Sequence, residues 1–271
     1  MRGGSQSHLV EAEDGELYVV KLVNNPQHRR TLVNEWLSYA FLRHLQIFVP
    51  ETALIEFTGE FVAEHPNLYL SLGSRTEGAA PGIHFGSRLA VHPDSVAIFD
   101  FLPDKVLKRL ENSVDFLGTL TFDKWVGNAD SRQAVFFRPR AKHWNPLSRR
   151  PPARIGFFAQ MIDHGFAFNG PHWEFHDSPL QGLYFRTSVY DEVQSLDSFQ
   201  PWLEMVEHFP MEVVEAASRE IPRQWLNGDE GELERMLEKL LKRSSRVPEL
   251  ILEIQRKRSN VFANWRLRSY A

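Results

Sequence analysis

The strongest constraint in this sequence is the way its hydrophobic period changes along the chain. Two apolar runs, 9–13 and 17–23, flank Asp14-Gly15. Asp-Gly between such runs signals a hairpin, because the tight turn needs residues that tolerate positive φ. The next apolar positions, Leu32, Val33, Trp36, Leu37, Ala40, Phe41 and Leu45, recur at steps of three and four, the spacing of one helix face. Further strands are predicted over 53–57, 68–72 and 95–99, with a glycine-rich loop over 73–86. After Pro103 the pattern turns helical over 106–110 and 114–125. Two short apolar runs follow, 134–137 and 154–163. From 197 to 265 nearly everything is amphipathic helix, interrupted at Pro210, Pro222, Gly228 and Pro248. This order predicts an α+β, two-lobed fold: a strand-rich N-terminal lobe over 1–100 and a helix-rich C-terminal lobe over 101–271, joined around 99–103. Clefts between lobes are favoured places for ligands.

Composition narrows the chemistry. A chain of 271 residues, 42% apolar and 24% charged, can bury a sizeable core. It contains no cysteine, which excludes disulfides, thiolate metal sites and cysteine nucleophiles. That fits a reducing, cytoplasmic location. No apolar run approaches the roughly 20 residues that cross a bilayer, and no secretory signal is expected at Met1-Arg2-Gly3-Gly4-Ser5. A net charge of −4 argues against membrane or direct nucleic-acid partners. The basic stretch over 138–154 reads either as a solvated surface or as a docking site for an acidic partner. His172 and His176 lack the His-Glu-x-x-His spacing of a zinc helix, and the tryptophans of the helical segments are expected in the core.

The residues that could carry chemistry are scattered. Gly3, Gly4, Ser5 and Gln6 could bring backbone N–H groups to a phosphate. Lys21 stands inside an apolar strand, where an ammonium needs a charged partner, and Glu35 borders the apolar face of the long helix. Asp130 follows a helix that Gly127 should end, in a polar turn before an apolar run. Asp163 ends another apolar run, before Gly165. A lysine on an N-terminal sheet with two acids on strand-loop edges is the equipment phosphoryl transfer needs. One acid aligns the accepting hydroxyl, the other holds Mg²⁺, and the lysine neutralises phosphate oxygens.

In this order the pieces resemble the HipA-like kinase family. They are the loop Gly3-Gly4-Ser5-Gln6, Val20-Lys21, Asn34-Glu35, Val49-Pro50-Glu51-Thr52, Gly127-Asn128-Ala129-Asp130 and Ile162-Asp163-His164-Gly165. The resemblance implies an ATP- and Mg²⁺-dependent kinase acting on Ser or Thr of a protein substrate. By it, Gly3, Gly4, Ser5 and Gln6 would cradle phosphates, Lys21 would contact them, and Glu35 would orient Lys21. Asp130 would be the catalytic aspartate and Asp163 the metal ligand. The stretch 97–102, with Phe99 and Phe101, would form the hinge near adenine, and Ser5 and Ser7 could be autophosphorylated. One departure stands out. Five residues after Asp130, where kinases carry a metal-binding Asn, this chain has Val135; Gln133 or Asn128 could substitute. That leaves three readings: a protein kinase, a nucleotide-binding pseudokinase of regulatory or toxin–antitoxin type, and a kinase of a small molecule or lipid head group on the same scaffold.

Overall fold

The computed structural model describes residues 4–138 and 156–265. Gly3, and the basic stretch except Arg138, lie outside the described residues.

The hairpin read from Asp14-Gly15 is β1 (His8–Glu11) and β2 (Leu17–Lys21), paired antiparallel with His8 opposite Val20. The long amphipathic segment is α1 (Arg30–His44). Then come β3 (Thr52–Phe57), a short α2 (Gly59–Glu64), the hairpin β4 (Tyr69–Leu72) and β5 (Arg75–Gly78), and β6 (Gly82–Arg88). The main sheet has the order β1-β2-β6-β3. Strand alternation sorts its residues. Tyr18, Val20 and Leu22 join Phe57, Leu68 and Leu70 in a small core. Phe85 joins the main core, with Leu37 and Phe41 of α1.

The glycine-rich stretch 73–86 is not the expected loop. It contains β5 and most of β6, and β6 lies at the centre of the sheet between β2 and β3. Gly73 does serve a turn, at a positive φ of 67° between β4 and β5, but Gly86 is a packing residue. A Cβ on Gly86 would sit 2.5 Å from Ile55 Cγ1 and 3.2 Å from Tyr18 Cδ1, so its two neighbours close over the bare backbone. The expected strand over 95–99 shrinks to β7 (Ile98–Phe99), because the Ser95 and Val96 amides turn back to the His92 carbonyl. β6 ends at Arg88, and β7 already pairs with β8 (Gln133–Phe137), so residues 89–97 cross from one sheet to the other. β9 (Phe158–Ile162) completes a second sheet of order β7-β8-β9.

Around that sheet lie α3 (Asp104–Leu107) and α4 (Asp115–Val126). All of α4 is buried, and Gly127 ends it in the left-handed conformation glycine favours. The C-terminal helices are α5 (Trp202–Glu207), α6 (Met211–Arg219), α7 (Arg223–Leu226), α8 (Glu230–Arg243) and α9 (Val247–Lys257). Pro248 falls in the first turn of α9, where a missing N–H costs nothing, and does not interrupt it. Trp125 and Trp225 are fully buried, and Trp36 and Trp202 pack against the core.

These helices fasten α1 at both ends. Arg29 and Arg30 reach Asp229 (2.9 and 2.8 Å), and Trp202 Nε1 donates to the Leu45 carbonyl (3.2 Å). Trp225 Nε1 donates to the Ile83 carbonyl of β6 (2.7 Å), tying the main sheet to the same helices.

Two tests follow from this packing. Gly86→Ala should lower unfolding free energy by about 1–3 kcal/mol in chemical denaturation, as over-packing does. The second concerns Asp115. Burial pushes its carboxyl up to about 6, against the hydrogen bonds from Asn112 and the Phe48 N–H. Between about pH 4 and 6 the unfolded chain has lost this proton while the native chain keeps it, so native stability falls as pH rises through that window. Asp115→Asn should gain stability over wild type above pH 6, by at most on the order of 3 kcal/mol, and lose that part of the slope. Denaturation midpoints from pH 4 to 7 measure both.

Candidate active site

Three distant segments meet at one ammonium. Lys21 ends β2, Glu35 faces it from the second turn of α1, and Asp163 follows the last residue of β9. The Lys21 ammonium donates to the Glu35 carboxylate and, at 2.8 Å, to Asp163 Oδ1. Lys21 and Glu35 are buried, whereas the Asp163 side chain keeps 34% of its surface open. Burial alone would pull the Lys21 ammonium down, yet the two carboxylates outweigh it and hold the proton on. Burial would likewise raise Asp163, but Lys21 and then Arg132 outweigh it and hold the carboxyl below its usual range. The open member of the cluster is therefore an ionised acid at neutral pH.

The turn bearing Asp163 is held from α1. Asp163 has a positive φ of 58°, which Asp tolerates better than most residues. The next amide, His164 N–H, donates to Glu35 Oε1 at 3.0 Å. Asn34, one residue earlier on α1, donates through its amide to the carbonyls of Gly165 (2.8 Å), Ala167 (3.0 Å) and Gly170 (3.0 Å). Its own oxygen accepts from Trp173 Nε1 (2.9 Å). Adjacent side chains of α1 thus set both the lysine and the loop that carries the acid.

Asp130 reaches the same edge through the second sheet. β8 and β9 are antiparallel with Gln133 opposite Ile162, and continuing that register places Asp163 opposite Arg132. Asp130 lies two residues farther along, exposed, with its carboxylate accepting from the Ser131 N–H (2.7 Å). Ala129 N–H donates to the Phe166 carbonyl (2.9 Å), joining this loop to the one after Asp163.

Beneath both loops is a buried ion pair that sequence reasoning did not single out. Arg132 and Asp123 bond through Nε–Oδ2 at 2.9 Å and through a second, shorter contact, with side chains 1% and 0% exposed. Arg132 also donates to the Ile162 carbonyl (3.1 Å) and to His164 Nδ1 (2.8 Å). Arginine cannot accept, so His164 carries its proton on Nε2. Burial, then Arg132 and Lys21, hold that imidazole neutral. The available signal was an Asp in a helix with no apolar alternative and an Arg before a strand, nine residues apart; neither marks a partner without the fold.

The remaining sequence-derived residues are placed as follows. Gln133 donates to Asp163 Oδ2 (3.0 Å), so it lies beside the open carboxylate. Asn128 is buried, donating to Asp123 Oδ1 (3.0 Å) and accepting from the Asp130 N–H (3.1 Å); its amide braces the loop from below. Val135 is in mid-strand, opposite Gln160. In the N-terminal loop, the Gln6 amide is occupied by the backbone of Ser71 in β4, donating at 2.8 Å and accepting at 2.6 Å. Ser5 and Ser7 hydroxyls bond each other (3.0 Å), and a Cβ on Gly4 would strike Gln27. Phe99 meets Phe157 edge-on, and Phe101 lies under the Arg186 guanidinium; both rings are at least 40% exposed, on the second sheet's side.

Among the described residues no three His, Asp or Glu side chains gather into a metal cage. That donor set fits Mg²⁺, which keeps waters and phosphate oxygens and needs only one or two protein carboxylates. Asp163 supplies an ionised one, with the Gln133 amide alongside it.

No curated protein matches this chain. Among solved structures, the crystal structure of the Golgi casein kinase is similar with a TM-score of 0.45 and 13% identity, over 95% of this chain and 72% of that one. A family model for HipA-like kinase matches residues 1–249. With the match running across nearly the whole sequence, the chain belongs to the HipA-like kinase family.

Proposed function

We propose that this chain is an ATP- and Mg²⁺-dependent protein kinase that moves a phosphoryl group onto a Ser or Thr hydroxyl. The observation that carries this reading is the Lys21 ammonium held between buried Glu35 and half-open Asp163. A charge fixed in place costs no reorganisation when a phosphate arrives, which is how enzymes gain most from electrostatics. Lys21 binds phosphate oxygens, and Glu35 keeps the ammonium aimed. Asp163 is the carboxylate for the metal, which when bound supplies charge neutralisation on the phosphates. Asp130 accepts the proton of the attacking hydroxyl as its oxygen bonds to the γ-phosphorus and the bond to the ADP oxygen breaks. By the family resemblance, Phe99 and Phe101 would border the adenine, and the backbone of the loop at Gly4, Ser5 and Gln6 would cover the phosphates. No helix among the described residues is long and apolar enough to cross a membrane, and the cysteine-free sequence suits the cytoplasm.

One observation favours a second reading, a nucleotide-binding pseudokinase. Val135 offers no metal donor, and the Asn128 amide is engaged by Asp123 and Asp130.

Calorimetry with ATP and Mg²⁺, together with transfer of labelled phosphate from ATP to Ser/Thr peptides, separates the two. Wild type should bind and transfer. Asp130→Asn should cut transfer by about 10²–10⁴-fold and leave ATP affinity within a few-fold. Asp163→Asn should weaken binding only when Mg²⁺ is present. Binding without transfer by wild type selects the second reading; no binding overturns both.

A further inference from the structure

Lys124 is a buried lysine that the reading above does not use. It lies in α4, 4% exposed, next to Asp123 of the buried ion pair. An ammonium has three donors. Here all three go to one loop: Nζ is 2.9 Å from the Ser178 carbonyl, 3.3 Å from that of Pro179 and 2.7 Å from that of Gln181. Three backbone carbonyls converging on one buried cation make an anchor, since each would otherwise lose its water without replacement.

The anchored loop is clamped at its start and touches the catalytic loop at its end. At the start, Asp177 takes an ion pair from Arg243 and another, at 2.9 Å, from Arg246. Arg243 also donates to the Trp125 (3.0 Å) and Lys124 (3.2 Å) carbonyls at the end of α4. At the other end, Gly182 N–H donates to the Asp130 carbonyl (3.0 Å), and Tyr184 bridges to Arg132. The loop rests directly on the ion pair: a Cβ on Gly182 would lie 2.4 Å from Asp123 Cβ.

We propose that Lys124 is a positioning residue for phosphoryl transfer: by tying down residues 178–181 it holds Gly182 against the Asp130 backbone and so fixes the catalytic aspartate toward the acceptor. This rests on the phosphotransfer reading. The hydrogen bonds and ion pairs of Lys21, Glu35 and Asp163 given above go to other segments, whereas Gly182 bonds the Asp130 backbone directly, so the anchor is expected to act on the acceptor side first.

Lys124→Met removes the donors and keeps the stem. It should lower kcat for labelled phosphate transfer from ATP to Ser/Thr peptides at least tenfold, leave the ATP Kd within twofold, and raise amide hydrogen exchange over 178–183. Lys124→Arg, which keeps a cation, should restore kcat to within about threefold of wild type. If the Met variant does not fold, Asp177→Asn releases the same loop from a more exposed position. It should likewise lower kcat, with the ATP Kd unchanged and faster exchange. Variants that lose melting temperature but keep kcat, or that weaken ATP binding in step with kcat, overturn the proposal. Failure of wild type to transfer phosphate overturns the phosphotransfer reading instead, and exchange over 178–183 that is the same in wild type and variants overturns the anchor independently.

Discussion

The Lys21 ammonium is the point on which the site's geometry depends. A lysine this buried is stable only with its charge compensated, and here Glu35 and Asp163 compensate it from two different segments. The pair therefore ties the end of β2, the middle of α1 and the turn after β9 to one position. α1 itself is held by Asp229 and Trp202 of the C-terminal helices, so Glu35 is carried by an element fastened at both ends.

A second polar layer lies under the first. Asp123, Arg132, Asn128 and His164 form a buried network with no direct access to solvent. Its members bond backbone as well as side chain: Arg132 to the Ile162 carbonyl, Asn128 to the Asp130 amide. Apart from His164 Nε2, which has no hydrogen-bond partner among the described residues, the network's buried side-chain polar atoms are paired, and a buried network of this kind makes one arrangement of loops much better than its neighbours. The two loops bearing Asp130 and Asp163 are irregular in backbone, yet their groups are bonded to one another and to this layer.

Much of this was legible in the sequence. The Asp14-Gly15 hairpin, the period of α1, the glycine after α4 and the short apolar runs that became β8 and β9 all follow from local rules about turns, caps and periodicity. Lys21 was conspicuous as a charge in an apolar strand. Other features were hidden for physical reasons. Gly73 to Gly86 looks like a loop because glycine usually serves turns; in β6 it serves close strand packing, which depends on Ile55 and Tyr18 from other strands. Gln6 looks like part of a phosphate loop, and only the fold brings β4 to its side chain. The Asp123–Arg132 pair and the Lys124 anchor involve ordinary charged residues whose burial no local pattern announces.

By itself, the sequence determined most of the elements and showed that Lys21 had to find a charged partner, because turn chemistry, helix caps and hydrophobic period act within a few residues. It also carried the family membership, in motifs ordered along the chain. Only the tertiary structure decided which partner each buried charge meets. Lys21 could have paired with any acid; the register of β8 against β9 and the clamping of α1 put Glu35 and Asp163 within its reach. Electrostatic energy in a dry interior depends on distances of a few ångströms, and those distances are set by packing between segments as far apart in sequence as Lys21 and Asp163.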